Sequence, residues 1–162
     1  MCEDIESVVA VAPDDCASVL IARGRAAQPA LRVAMRSPRV RHLVLWAPII
    51  WVEAPHSELK NEIMREVKEK GFAEIDGTRV GRAFLEALDD PKDTEIASWV
   101  RPDCRYSIVH PTGDEVHPVH LAERLAHIIL DNAFTRFTRV PGRHPNIREI
   151  PHDQIAAIVA AL

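Results

Sequence analysis

Four short runs rich in β-branched and aromatic residues, each set off from the next by stretches of helical spacing, constrain this chain's fold more than any other feature. They fall at residues 17–22, with Ser18-Val19-Leu20-Ile21 inside, then 40–46, 105–110 and 134–140. Apolar runs of this length are typical of buried strands. Between the first two, Ala27, Ala30, Leu31, Ala34 and Met35 recur at helical spacing until Pro38 stops the pattern. Between the last two, Leu121, Leu125, Ile128 and Ile129 line one side of a helix over 119–132. This alternation predicts a mostly parallel sheet with helices on both faces, joined by right-handed crossovers.

Flanking segments fit the same scheme. Residues 4–12 place Ile5, Val8, Val9 and Ala12 on one helical face behind Glu3 and Asp4, whose charges suit a helix N-terminus, although the Val8–Val11 run also suits a strand. Residues 57–70 read as a charged helix with Leu59, Ile63 and Val67 on one face and Gly71 as its stop. Further helices are expected over 81–88, broken by Asp89-Asp90-Pro91, and over 153–162.

With 162 residues, 47% of them hydrophobic and 27% charged, the chain has the makeup of one compact globular domain, expected to span 1–162. The net charge of -4 argues against generic nucleic-acid binding, which needs cationic surface to displace counterions from phosphate. No apolar run approaches the roughly 20 residues that cross a bilayer, and Met1-Cys2-Glu3-Asp4 lacks a signal-peptide layout, so a cytoplasmic protein without membrane contact is expected. Cys2, Cys16 and Cys104 show no CxxC spacing and their odd number cannot pair completely, so reduced thiols are expected.

Few residues carry candidate chemistry. Asp114 follows a strand and precedes a helix, where a carboxylate either orients an imidazole or caps the turn. His144 lies after the last strand, at the sheet end where ligands of open α/β folds bind, or is simply a solvated loop histidine. His110, His117 and His120 cluster with Asp114 in sequence, but without a full ligand set at a known metal spacing. No metal and no cofactor are expected, and a polar rim explains the cluster equally well.

Three segments, in order, carry a family resemblance. The first is Val19-Leu20-Ile21-Ala22-Arg23-Gly24-Arg25-Ala26-Ala27, with the helix and strand that follow. The second is Tyr106-Ser107-Ile108-Val109-His110-Pro111-Thr112-Gly113-Asp114-Glu115-Val116-His117-Pro118. The third is Val140-Pro141-Gly142-Arg143-His144. Together they resemble the C-terminal half of an α/β-hydrolase: nucleophile strand, elbow and helix, then a strand with a G-x-x-D-x-V-x-P turn, then a late turn carrying the histidine. The resemblance implies a truncated three-layer α/β sandwich of about four mostly parallel strands with an inserted helical lid over 51–100. Trp51, Phe72, Phe84 and Trp99 are then either pocket walls or core.

By the same resemblance Asp114 and His144 are the acid and histidine of a catalytic triad. The elbow motif G-x-S-x-G falls on Ala22-Arg23-Gly24-Arg25-Ala26, so Gly24 stands at the nucleophile position and leaves it vacant. Arg23 and Arg25 flank it and offer anion contacts to a ligand, or are solvated. Cys16 is no substitute, since Asp14 and Asp15 disfavour its thiolate. The implied function is a non-hydrolytic small-molecule-binding or oligomerising scaffold. The alternative is an enzyme using the Asp114–His144 pair as general base, or completed by a partner chain. Because strands that precede the elbow in the family have no counterpart here, the strand at 19–22 becomes a sheet edge, expected to pair with a second copy or a separate chain.

Overall fold

The computed structural model describes residues 2–13, 17–51, 56–75, 77–82, 90–115 and 117–143. His144, Cys16, Phe84 and the expected terminal helix lie outside these residues, as does nearly all of the helix expected over 81–88.

Four parallel strands form the main sheet in the order β1-β2-β5-β6: β1 Ser18–Arg23, β2 Val40–Trp46, β5 Arg105–Gly113 and β6 Thr135–Arg143. The sheet thus matches the four sequence runs, and β1 is an edge as expected. The helix α2, Ala27–Arg36, connects β1 to β2, and α5, Val119–Leu130, connects β5 to β6. An N-terminal helix α1, Cys2–Ala10, packs on α2, which settles the helix-or-strand ambiguity there.

Side-chain alternation divides the sheet into two faces. Leu20, Ala22, Leu43, Leu45, Tyr106 and Ile108 face the main core, where they meet Val9 of α1, Ala30, Leu31 and Ala34 of α2, and Leu121, Leu125 and Ile129 of α5. The three alanines of α2, Ala27, Ala30 and Ala34, have no exposed surface, and their small size lets the helix lie close to the strands. Each fully buried leucine or isoleucine here contributes about 1.5–3 kcal/mol. The other face carries Val44, Trp46 and Val109, also buried.

The insertion between β2 and β5 divides in two. Helix α3, His56–Lys70, ends on Gly71 at φ 81°, and packs Ile63 and Val67 against Ala73 and Val80 of an antiparallel hairpin, β3 Ala73–Ile75 and β4 Thr78–Val80. This four-residue cluster is separate from the main core. The remainder returns to that core: α4, Asp93–Ser98, buries Ile96, and Trp51, Trp99 and Val100 join the same cluster. Arg124 of α5 stacks on Trp51 at 4.3 Å and donates to Asp93 at 2.7 Å, while the Trp51 indole donates to the Pro91 carbonyl at 2.9 Å. Neither β3–β4 nor α4 is among the elements expected from sequence.

Candidate functional site at the C-terminal ends of the strands

All four strands run the same way, so their C-terminal ends share one edge of the sheet. The register aligns Arg23 with Trp46 and Trp46 with Val109, and pairs His110 with Arg139 one step further along. The chain leaves β1 through a 3-10 turn, Gly24–Ala26, with Gly24 at φ 54°. That left-handed conformation costs most residues steric strain and glycine little. On the next strand end Ala47 holds φ 43°, an uncommon value for a residue with a Cβ. Backbone bonds lace these ends together: the Ile49 N–H donates to the Gly24 carbonyl at 3.0 Å, and the Ala47 N–H to the Val109 carbonyl at 2.8 Å.

Asp114 follows directly on β5, its side chain wholly buried. Its Oδ1 accepts the His117 N–H at 2.8 Å, so one oxygen caps the turn, as one of the two sequence readings has it. Its Oδ2 lies 3.8 Å from Nε2 of the equally buried His110, too far for a hydrogen bond. His110 Nε2 instead donates to the His117 carbonyl at 2.8 Å, which assigns the ring proton to that nitrogen. Of the histidine cluster seen in the sequence, the His110 ring and the His117 backbone form a buried brace on the turn that carries Asp114, while His120 is exposed. Among the described residues no group of three or more His, Cys, Asp or Glu is arranged to hold a metal.

One expectation needs correction. Residues 141–143, expected in a late turn beyond a strand ending at 140, are strand: β6 continues to Arg143, pairing Val140 with Pro111 and Arg143 with Gly113. Two glycines make this extension feasible. A Cβ placed on Gly113 would sit 2.8 Å from the Gly142 carbonyl oxygen, so the backbones meet where neither has a side chain. The pairing brings Gly113, just before Asp114, beside Arg143, the last described residue before position 144.

Arg23 and Arg25 diverge. Arg23 is the last residue of β1, extended at φ -121° and half-buried, while Arg25 lies in the 3-10 turn. Loss of hydration pulls the Arg25 guanidinium below its ordinary pKa and the charge of Asp90 opposes the shift. Of the expected lid aromatics, Trp51 and Trp99 belong to the main core, and Phe72 is partly exposed beneath Arg79 at 4.5 Å.

The overall arrangement of these strands and helices is similar to that of several solved structures. A monoacylglycerol lipase from Paleococcus ferrophilus superposes with a TM-score of 0.71 at 12% identity, over 99% of this chain and 72% of the lipase. Mouse alpha/beta hydrolase domain-containing protein 10 does so with a TM-score of 0.63 at 16% identity, over 99% and 67%. This chain has the α/β-hydrolase fold. Zea mays acyl-protein thioesterase 2 matches it with a TM-score of 0.56 at 15% identity, over 99% of this chain but only 62% of the thioesterase. No protein-family model and no curated protein matches the sequence. Among the described residues the main sheet has four strands, and the chain spans 62% to 72% of the length of these three structures. No helix among the described residues is long and apolar enough to cross a membrane.

Proposed function

We propose that this is a non-hydrolytic protein of the α/β-hydrolase fold, a cytoplasmic single-domain scaffold that binds a small molecule or oligomerises. One observation carries the reading: the turn from β1 into α2 holds glycine at φ 54°, so the position we equate with the nucleophile elbow has no side chain to attack a carbonyl. Space does not explain the glycine, since its Cβ would meet Ile49 Cδ1 at an ordinary 3.5 Å. Arg23 and Arg25 beside it provide charge for an anionic ligand.

The exposed side chains of Val19 and Ile21 support a second part of the proposal. The edge of β1 pairs with a strand of another chain, either a second copy or a separate partner, since an uncharged apolar edge is a template for strand addition.

A competing enzymatic reading draws on the burial of Asp114. A buried carboxylate at the C-terminal end of β5 is well placed to orient an imidazole, and an Asp114–His144 pair would serve as general base or be completed by a partner chain. Fluorophosphonate labelling and ester turnover on the purified protein separate the two. The scaffold reading expects neither. Turnover that disappears in His144→Ala would transfer the assignment to the enzyme.

A further inference from the structure

We propose that Arg23 and Trp46 form a head-group site for an apolar carboxylate, with the hydrocarbon body of the ligand lying along Ile21 and Val19. This rests on the binding role proposed above, supplies its ligand class, and is tested without reference to hydrolysis.

Val19, Ile21 and Arg23 alternate along β1 and so share one sheet face, beside His42, Val44 and Trp46 of β2 in register. The β2 residues are 9%, 1% and 4% exposed, whereas Val19 and Ile21 are 46% and 41% exposed. The boundary between covered and open sheet therefore runs between these two strands. At its C-terminal end stand two polar groups with nothing to bind. The Trp46 indole N–H is buried without a hydrogen-bond acceptor, a condition native proteins seldom leave unanswered. Among the described residues the Arg23 side chain makes no ion pair or hydrogen bond, whereas Arg36, Arg41, Arg124 and Arg139 each hold a carboxylate.

A carboxylate answers both, one oxygen paired with the guanidinium and the other accepting the indole N–H. An inorganic anion would leave the apolar column beneath uncovered. From Val19 to Arg23 the strand rises about 13 Å, a length suited to a medium-chain fatty acid. Strand addition at β1 uses its backbone edge, and the ligand uses its side-chain face, so the two do not compete.

Decanoate, titrated below its micellar concentration into 15N-labelled protein, tests this directly through the Trp46 indole signal, identified by its loss in Trp46→Phe. We expect a saturable shift that equal concentrations of acetate or decanol do not produce. Arg23→Gln should weaken decanoate at least tenfold without moving the thermal midpoint, and Ile21→Asn should weaken it as well. The proposal is overturned if the Trp46 signal stays still at saturating decanoate, if acetate or decanol moves it equally, or if Arg23→Gln binds as tightly as the parent. Because none of these readouts involves bond cleavage, an inert protein that ignores decanoate disproves the site while leaving the scaffold reading intact.

Discussion

Gly113 and Gly142 lie so close across β5 and β6 that a methyl group on the first would press on the carbonyl oxygen of the second, at 2.8 Å. The obstructing atom belongs to backbone, so it cannot swing aside as a side chain would. This contact sets how far the two strands run together, and so how Asp114 is presented.

Gly113→Ala should therefore destabilise the protein by about 1–3 kcal/mol, the usual cost of forced overpacking. Urea denaturation would register it as a lower midpoint at unchanged slope. Gly77→Ala is the control for added bulk, since a Cβ there meets nothing within 4 Å, although its φ of 77° carries a backbone cost of its own. A Gly113→Ala protein as stable as its parent would show that β6 can withdraw from the contact without penalty.

Arg101 secures the opposite end of the sheet. Its guanidinium donates to the carbonyls of Ala34 at 2.9 Å, Val40 at 2.8 Å and Ser37, and to Asp103 at 2.6 Å, tying the end of α2 to the start of β2. Arg101→Ala should cost about 2–3 kcal/mol, in the range of a charged hydrogen bond with its acceptors left uncompensated. Arg101→Lys should recover less than half of that, because an ammonium cannot reproduce the planar fork. Thermal and urea melts of the two variants provide the check.

His42 predicts an acid limb in the stability profile. Burial, with a smaller contribution from the charge of Arg105, lowers its pKa below the ordinary 6.5, and its Nε2 lies 2.9 Å from Ser107 Oγ. The unfolded chain then binds this proton more readily than the native one, so stability attributable to His42 is complete above pH 6.5. It declines as pH falls from there towards the lowered native value. Denaturation midpoints measured across pH 5–8 should show this slope flattened in His42→Gln.

Ile21→Lys addresses the β1 edge. A lysine in the middle of an edge strand opposes strand addition, so the variant should run as a smaller species than the parent in sedimentation velocity. A parent protein that is monomeric at all concentrations would refute pairing with a second copy. A parent that is also left single by extracts of its native host would dispose of the separate partner.

The main sheet was readable in the sequence because its strands are continuous apolar runs bounded by clear breaks. Residues 40–46 form β2 over the same bounds. The hairpin β3–β4 escaped because three-residue strands are too short to show alternation, although Asp76-Gly77 between Ile75 and Thr78 is a recognised hairpin signal. Helix α4 escaped likewise, with six residues and only the acidic Asp93 and Glu95 to mark its first turn. At the site, the family resemblance placed an elbow turn at Gly24, and Asp114 was legible from its place after β5. Contacts set by register were not. Neither the bond from His110 to the His117 carbonyl nor the unsatisfied indole of Trp46 can be deduced before strands are aligned.

The two borders of the sheet are chemically unlike. β6 bears exposed Arg136, Arg139 and Arg143, together with Pro141, whereas Val19-Leu20-Ile21-Ala22 of β1 contains no charge. Indefinite fibre growth requires an adhesive surface on each side of the repeating unit, and here the β1 border is uncharged while the β6 border is guarded by cations and a missing backbone donor. If β1 pairs with a second copy as proposed, the two β1 edges occupy each other and only the β6 borders remain outward, so association would close on a pair instead of propagating into an insoluble polymer.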